Sequence, residues 1–420
     1  MFDVYETRKK YPILNGIKME GHNLVYMDSG ATALKPQCVI DKVVEYYSEY
    51  STNTHRGDYP LAHRADEEYE KVRKIVKEFI NCNDENEIVY TYGTTHSINV
   101  LAHGIKHMLK KGDVVLISEF EHASNVLPWF RLKDEIGIEI EYVKLDEKHH
   151  LTPELFKESM HDGVKLVCLA HISNVLGQCL DIKEIAKITH DYNAIIAVDG
   201  AQSVPHIKVD VKDLDIDFLS FSAHKFGGPT GIGVLYGKYD LLNKLEAYNL
   251  GGGMNTRIEC NTCYFIKEAP FKFEAGTPAI EATIGMGKAI QFIMDIGMDN
   301  IHEHIKKIRK HAIDRLQNEL PEVIIYNPEN EGAPLAFNVK GYEGARCQDI
   351  GSALATYGIA VRTGEHCAKL LPNLIGTKGS VRASLYLYNT IEDMDCLVDA
   401  LKDIVAKEKE NKGDALSWLL

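Results

Sequence analysis

Ile195-Ile196-Ala197-Val198-Asp199-Gly200-Ala201-Gln202 is an apolar run that closes on an acid, a glycine and an amide. A run with no polar alternation suits a strand buried on both faces, as in a parallel sheet covered by helices. Further along, Ser220-Phe221-Ser222-Ala223-His224-Lys225 leads into Phe226-Gly227-Gly228-Pro229-Thr230-Gly231. A second apolar run thus ends in a serine, a histidine and a lysine, just before a glycine-rich turn.

Runs of the same kind recur outward from this pair. They are Leu24-Val25-Tyr26-Met27, Ile88-Val89-Tyr90, Val114-Val115-Leu116-Ile117, Leu166-Val167-Cys168-Leu169 and Ile232-Gly233-Val234-Leu235-Tyr236, with helical patterns between them. The series predicts an α/β chain with a large, mostly parallel-sheet domain. In such sheets the polar site residues gather just past the carboxyl ends of the strands. Tyr90 to Thr95, Ser118 to His122, His171 to Asn174 and Asp199 all fall there, so four strand ends are expected to converge on one site. Residues near 280 to 318 read as helical. A smaller α+β pattern follows: Leu335 to Val339, a helix through Gln348 to Tyr357, Ile359 to Val361, Ser380 to Ser384, and a last helix over about 391 to 408. The expected organisation is an N-terminal segment over 1–20 packing on the small domain, a large domain over 21–270, a small C-terminal domain over 271–408, and a tail over 409–420.

Bulk properties narrow the function classes. The net charge of −14 argues against nucleic acid or an anionic membrane as the main partner. No apolar run is long enough to span a bilayer, and the first ten residues lack the apolar core of a signal peptide. The nine cysteines are odd in number and scattered, which suits a reducing compartment, and a cytoplasmic location is expected. Cys260-Asn261-Thr262-Cys263 is a lone CxxC, better read as two unrelated thiols in a loop than as a metal site; no metal is expected.

The strand-end residues suit one cofactor, pyridoxal 5'-phosphate. Lys225 would carry it, and Asp199 would keep its ring nitrogen protonated so that the ring works as an electron sink. Gly93-Thr94-Thr95 opens a helix where N–H groups and hydroxyls would bind a phosphate, though the same triplet is a common helix cap. Ser222 and His224 would join them. His122 is placed to stack on the ring, and Gln202 to donate to its phenolic oxygen. Two late stretches complete the set. Arg362-Thr363-Gly364-Glu365-His366-Cys367-Ala368 puts a cysteine in a polar loop, where cations such as Arg362 or His366 would favour the nucleophilic thiolate. Arg382, at a strand end, would grip an α-carboxylate bidentately. An inert buried thiol and a surface ion pair are the plainer readings of Cys367 and Arg382.

The chain resembles a Suf-type (group II) cysteine desulfurase, in the class V aminotransferase branch of fold type I enzymes that use pyridoxal phosphate. The resemblance runs from about residue 10 to about 406. It is carried by Asn53-Thr54-His55-Arg56-Gly57, Gly93-Thr94-Thr95, Glu121-His122 with Pro128-Trp129, and His171 to Gly177. Val198 to Gln202, Ser222-Ala223-His224-Lys225, Phe273-Glu274-Ala275-Gly276-Thr277-Pro278, Arg362 to Ala368 and Arg382-Ala383-Ser384 carry the rest. It implies a fold type I transferase in which Lys225, His122 and Asp199 serve the cofactor and Thr95, Ser222 and His224 bind its phosphate. Thr277 would reach the phosphate from the other subunit of a homodimer. Asn174 and Arg382 would hold the amino-acid substrate, with Arg362 and His55 beside them. L-Cysteine would become L-alanine, with persulfide left on Cys367 for a Suf-pathway acceptor protein and iron–sulfur cluster assembly. A selenocysteine lyase or cysteine sulfinate desulfinase is the alternative within the branch.

Two positions depart from the family pattern. Glu365 stands where many relatives have a histidine, and its charge is expected to disfavour the Cys367 thiolate. Gln348, just before Asp349, stands where relatives that exchange a zinc ligand with a scaffold carry a histidine.

Overall fold

The computed structural model describes residues 2–55, 57–260 and 263–410. Arg56 of the Asn53–Gly57 motif, the centre of the CxxC and tail residues 411–420 lie outside the described residues. The chain divides into two compact units. The larger comprises Cys38–His171 and Leu180–Asp295; the smaller comprises the described parts of Met1–Gln37, Ile172–Cys179 and Ile296–Leu420.

The larger unit is built on a seven-stranded sheet. In chain order its strands are β1 Ile88–Thr91, β2 Val114–Ile117, β3 Glu139–Tyr142, β4 Val164–Ala170, β5 Ile195–Asp199, β6 Phe218–Ser222 and β7 Gly233–Gly237. The spatial order is β1-β7-β6-β5-β4-β2-β3, with all neighbours parallel except β7, which runs antiparallel to both β1 and β6. β1, β2, β6 and β7 are buried along their whole length, which explains their unbroken apolar sequences. β3 is the exception. Its Glu-Ile-Glu-Tyr sequence is largely exposed because it forms the sheet edge, where charge protects against pairing with another chain. The crossovers use helices α1 Thr94–Ile105 after β1, α2 Leu127–Ile136 after β2 and α3 Ile182–Asp191 after β4.

The smaller unit holds a four-stranded antiparallel sheet. Its strands are β8 Val323–Ile325, β9 Pro334–Val339, β10 Arg362–Gly364 and β11 Ser380–Ser384, in the order β8-β9-β11-β10. The apolar run at residues 24–27 belongs here and not to the large sheet expected of it: Val25–Tyr26 pairs with Ile359–Ala360. Two residues of apolar sequence satisfy either sheet, and only the long-range partner decides. The helical stretch expected near 280 to 318 is two helices, α4 Ile280–Ile296 and α5 Met298–Glu319. Gly297 separates them at φ 90°, a conformation that costs glycine little and other residues more. The last helix, α6, spans Ile391–Glu410 and packs on α5. Among the described residues no helix is long and apolar enough to cross a membrane.

Candidate active site

In the larger unit, the carboxyl ends of β1, β2, β5 and β6 present the residues expected to serve a cofactor. β1 ends at Thr91, and Gly93 then turns the chain into α1 with φ 122°. A Cβ at Gly93 would lie 3.1 Å from the Ser222 hydroxyl, so glycine is needed here both for its backbone and for this close approach. Because Gly93 has no capping side chain, Ser222 at the end of β6 does that work. Its Oγ accepts the Thr94 N–H at 2.7 Å and lies 2.7 Å from Thr94 Oγ1. The next N–H groups of α1 have no partners within the helix, the ordinary state of a helix start. Lys225 and His224 follow β6 directly, in a single 3-10 turn over Ala223–Lys225.

The His122 turn is tied to this cradle. His122 caps the Ala123–Asn125 turn, and its Nδ1 accepts the Ser124 N–H at 3.1 Å. Ser124 Oγ in turn lies 2.7 Å from Thr95 Oγ1. Beneath it, the buried Glu121 carboxylate accepts from Ser118 Oγ at 2.6 Å, Asn125 Nδ2 at 2.8 Å and the Ala170 N–H at 3.0 Å. Ala170 is the register partner of Asp199, so Glu121 lashes the His122 turn to the strand beside Asp199. Burial pushes the Glu121 carboxyl up to about 7 against the pull of these donors, and the nearby Asp199 charge adds to the rise. Asp199 is buried and accepts the Ala201 N–H at 2.9 Å, and Gln202 is buried one turn on.

The donor set fits pyridoxal phosphate. A helix start with two threonine hydroxyls, a serine, a histidine and a lysine suits a phosphate ester. A buried carboxylate on the neighbouring strand end suits a protonated ring nitrogen. Thr277 stands elsewhere in the same unit, exposed, on the rim of a cavity of about 40 Å³ lined also by Tyr90, Tyr92 and His96. Its segment is anchored by Glu274, whose carboxylate takes a two-pronged bond from buried Arg73 (3.1 and 3.0 Å) and the Tyr90 N–H at 2.8 Å. His55, at φ 70°, packs against Tyr69 and lies 3.7 Å from Glu70.

The smaller unit gathers the other expected residues. Arg362 on β10 and Arg382 on β11 are directly paired across the two antiparallel strands. Paired residues share a face, and two like charges facing each other are unfavourable without an anion. Asp28 supplies part of one, 3.5 Å from Arg382. Burial pushes the Asp28 carboxyl up despite the two guanidinium groups, and burial lowers Arg382 to about 10, with Arg362 adding to the fall. Arg382 Nη1 donates to the Asn174 carbonyl at 3.0 Å, and Asn174 Nδ2 donates to the His366 carbonyl at 2.9 Å. Among the described residues, Arg382 Nε and Asn174 Oδ1 are buried without a hydrogen-bond partner. Both are donors or acceptors suited to an amino acid's charged groups. Arg382 is therefore buried and not a surface ion pair, and Cys367 is exposed and not an inert buried thiol.

His366 and Cys367 both lie in the left-handed region, at φ 53° and 58°. Two successive non-glycine residues there cost about 1–2 kcal/mol each. The bend is held from inside by His366, whose Nε2 lies 3.0 Å from both the carbonyl and the hydroxyl of Ser380. Burial, helped by Arg382, drops the His366 imidazole to about 3, so it is neutral at ordinary pH. The expectation that His366 would act as a cation favouring the thiolate is corrected on that ground. Glu365 carries an ion pair with Lys369, one helical turn on in sequence, which offsets the charge expected to oppose the thiolate. The roles of Glu121, Ser124, Asp28 and Lys369 carry no signal that spacing alone reveals, although the first two lie inside the Glu121–Trp129 stretch. Among the described residues no cluster of metal-ligating side chains occurs.

A family model described as Aminotransferase class-V matches residues 25–397. A probable cysteine desulfurase from Halalkalibacterium halodurans is 40% identical over 412 residues, covering 98% of this chain and 99% of that protein. Among solved structures, the cysteine desulfurase CsdA (S-sulfonic acid) from Escherichia coli superposes with a TM-score of 0.89 at 34% identity, covering 97% of this chain and 99% of that one. The apo cysteine desulfurase from Thermococcus onnurineus NA1 gives 0.90 at 36% identity, covering 96% and 98%.

Proposed function

The chain belongs to the aminotransferase class-V family and, within it, to the cysteine desulfurases, and from that premise we propose how its own residues act on L-cysteine. The observation that carries the reading is the Arg362–Arg382 pair, joined through Asn174 to the bend that exposes Cys367. It supports a reading in which a fork for the substrate carboxylate and the attacking sulfur belong to the same small unit.

Bound pyridoxal phosphate supplies the sink for the electrons released at the substrate Cα. Thr94, Thr95, Ser222 and His224 would hold its phosphate, Asp199 would keep its ring nitrogen protonated, His122 would stack on the ring and Gln202 would donate to its phenolic oxygen. Arg382, with Arg362, grips the α-carboxylate and Asn174 orients the substrate beside it. Lys225 Nζ takes the Cα proton. The Cys367 thiolate then attacks the substrate sulfur: a sulfur–sulfur bond forms and the Cβ–sulfur bond breaks. Its electron pair stays with Cβ, which gains a proton, and Lys225 Nζ returns a proton to Cα to give L-alanine. The net change converts L-cysteine and one enzyme thiol to L-alanine and one enzyme persulfide, with no outside oxidant.

The same reading extends to a Suf-type enzyme in the cytoplasm. It forms a homodimer in which each Thr277 serves the partner's cofactor, and it passes sulfur to an acceptor protein for iron–sulfur assembly. Intact mass after exposure to L-cysteine tests the core of it. Cys367 should gain one sulfur atom, while a covalent gain on another residue, or none with alanine still formed, overturns it. Light scattering tests the assembly: full activity from a monomer would remove Thr277 from the site.

A further inference from the structure

Residues 172–179 leave the end of β4 and form a short loop closed by an isolated bridge between Ile172 and Cys179. Within the loop, Ser173 Oγ lies 3.2 Å from the Leu176 N–H, and the Gly177 N–H donates to the Ser173 carbonyl at 3.1 Å. These bonds shape the loop but do not anchor it. Besides the bonds of Asn174 to Arg382 and His366, the loop is anchored by 327–332. Asn327 Nδ2 and Asn330 Nδ2 each donate to the Leu176 carbonyl at 2.8 Å, and the Gly332 N–H donates to the Gly177 carbonyl at 3.0 Å. A Cβ at Gly332 would fall 2.4 Å from that Gly177 oxygen, so the two strands of chain are in backbone contact.

Asn327 is the centre of this anchor and is itself rigidly held. It is only 2% exposed. Its second N–H goes to the Pro334 carbonyl at 2.8 Å, and its Oδ1 accepts the Ala336 N–H of β9 at 3.1 Å. Its own carbonyl accepts from the buried Arg309 of α5 at 2.5 Å. Nearly every hydrogen-bonding position of one side chain is therefore spent between β9 and the loop. Two residues before the gripped Leu176 carbonyl stands Asn174, with its bonds to Arg382 and to the bend carrying Cys367.

We propose that Asn327 is a positioning residue for substrate binding: it sets the backbone of the 174–177 loop and so fixes Asn174 and Arg382 against the substrate carboxylate. The inference rests on the reading of Asn174 and Arg382 as substrate-holding groups. Removing the side chain takes one donor from each of two buried carbonyls, leaving Leu176 only Asn330 and Pro334 only Arg309 Nε at 3.3 Å, and it takes the acceptor from the Ala336 N–H; small misplacements of groups that orient a substrate are expensive.

The test compares Asn327→Ala with Asn330→Ala and Arg382→Lys in the cofactor-loaded enzyme. KM and kcat for L-cysteine are measured, with L-alanine affinity followed from the cofactor's visible absorbance. Asn327→Ala should raise KM and weaken L-alanine binding by about tenfold, with a smaller change in kcat and full cofactor content. A purely structural role lowers the active fraction, hence the apparent kcat, and leaves KM and L-alanine affinity alone; that result overturns the inference. If Asn327→Ala does not fold, Asn330→Ala decides. It removes the other donor to the same carbonyl from a half-buried site, and unchanged L-alanine affinity there overturns the inference. Arg382→Lys separates the two layers. If it leaves KM and L-alanine affinity unchanged, the substrate-holding reading beneath the inference fails. If it raises KM and weakens L-alanine binding while the asparagine variants do neither, only the role of Asn327 fails.

Discussion

Ser222 and the Glu121–His122 turn stand at the ends of strands buried throughout, whereas Cys367 stands on an exposed bend with two successive residues in the left-handed region. The first region is fixed by short bonds from several elements. Ser222 caps α1, Ser124 meets Thr95, and Glu121 ties two strand ends to one turn. The second is fixed at its roots, by His366 on Ser380 and by Asn174, while its tip is left in solvent. A group that must meet a rigid aromatic cofactor gains from a frame that does not move. A sulfur that must meet a small substrate gains from being reachable.

The contrast breaks most decisively at Lys225. Lys225→Ala should abolish turnover and the cofactor's characteristic visible absorbance, and borohydride should no longer fix the cofactor to the chain. Fixation to another lysine would remove the strand-end frame from the chemistry. Cys367→Ser should divide the two regions. Adding L-cysteine should still change the cofactor spectrum, because the strand-end residues are untouched. Alanine formation should fall by at least about a hundredfold and no persulfide should form, since an unactivated serine hydroxyl is a weak nucleophile at neutral pH and offers no sulfur to carry one. Wild-type alanine formation would mean that the exposed bend takes no part.

Glu121→Gln sharpens the contrast from the rigid side. The Glu121 carboxyl rises from its usual 4.5 to about 7 in the fold, with Asp199 and the buried Cys168 as its charged or ionisable neighbours. Between those values the folded protein keeps a proton that the unfolded chain has released. Stability from this group is therefore complete below pH 4.5 and is lost as pH rises through 7. The loss is on the order of 3 kcal/mol at most. Thermal or denaturant unfolding should show a shallower decline over this window in the glutamine variant; an identical decline would mean that Glu121 is charged throughout. The smallest effect belongs to the bend. With Lys369 paired to Glu365, Glu365→Gln should speed alkylation of Cys367 by only about twofold, and Lys369→Ala should slow it to a similar degree, as exposed pairs are worth little. A change of tenfold or more in either would show that the bend controls its thiol as tightly as the strands hold theirs.

The large sheet was legible because β2, β4 and β5 carry the unbroken apolar runs that only burial on both faces requires. Edge strand β3 was not, since its charged sequence looks like a loop until its parallel partner Val114–Ile117 is seen. Residues 24–27 show the limit differently, being apolar enough for one sheet and paired in another. At the site, residues placed by a strand end, such as Asp199 and Lys225, announce themselves by what precedes them. Asn327, Asp28 and Lys369 act through partners distant in sequence or through charge alone, and no local pattern marks them. His366 reads in the sequence as a cation beside Cys367, and burial makes it neutral.

The anchored loop also bears on how the chain is made. Leu176 and Asn327 are 151 residues apart. At roughly 5–20 residues per second of synthesis, the loop leaves the ribosome on the order of ten seconds before the side chain that grips it. The β-strands on either side of the loop are complete long before that moment. During the interval residues 172–179 are a tether between finished strands with no seat of their own. A protease pulse on chains stalled before residue 327 should cut within this loop, and on released full-length chains it should not.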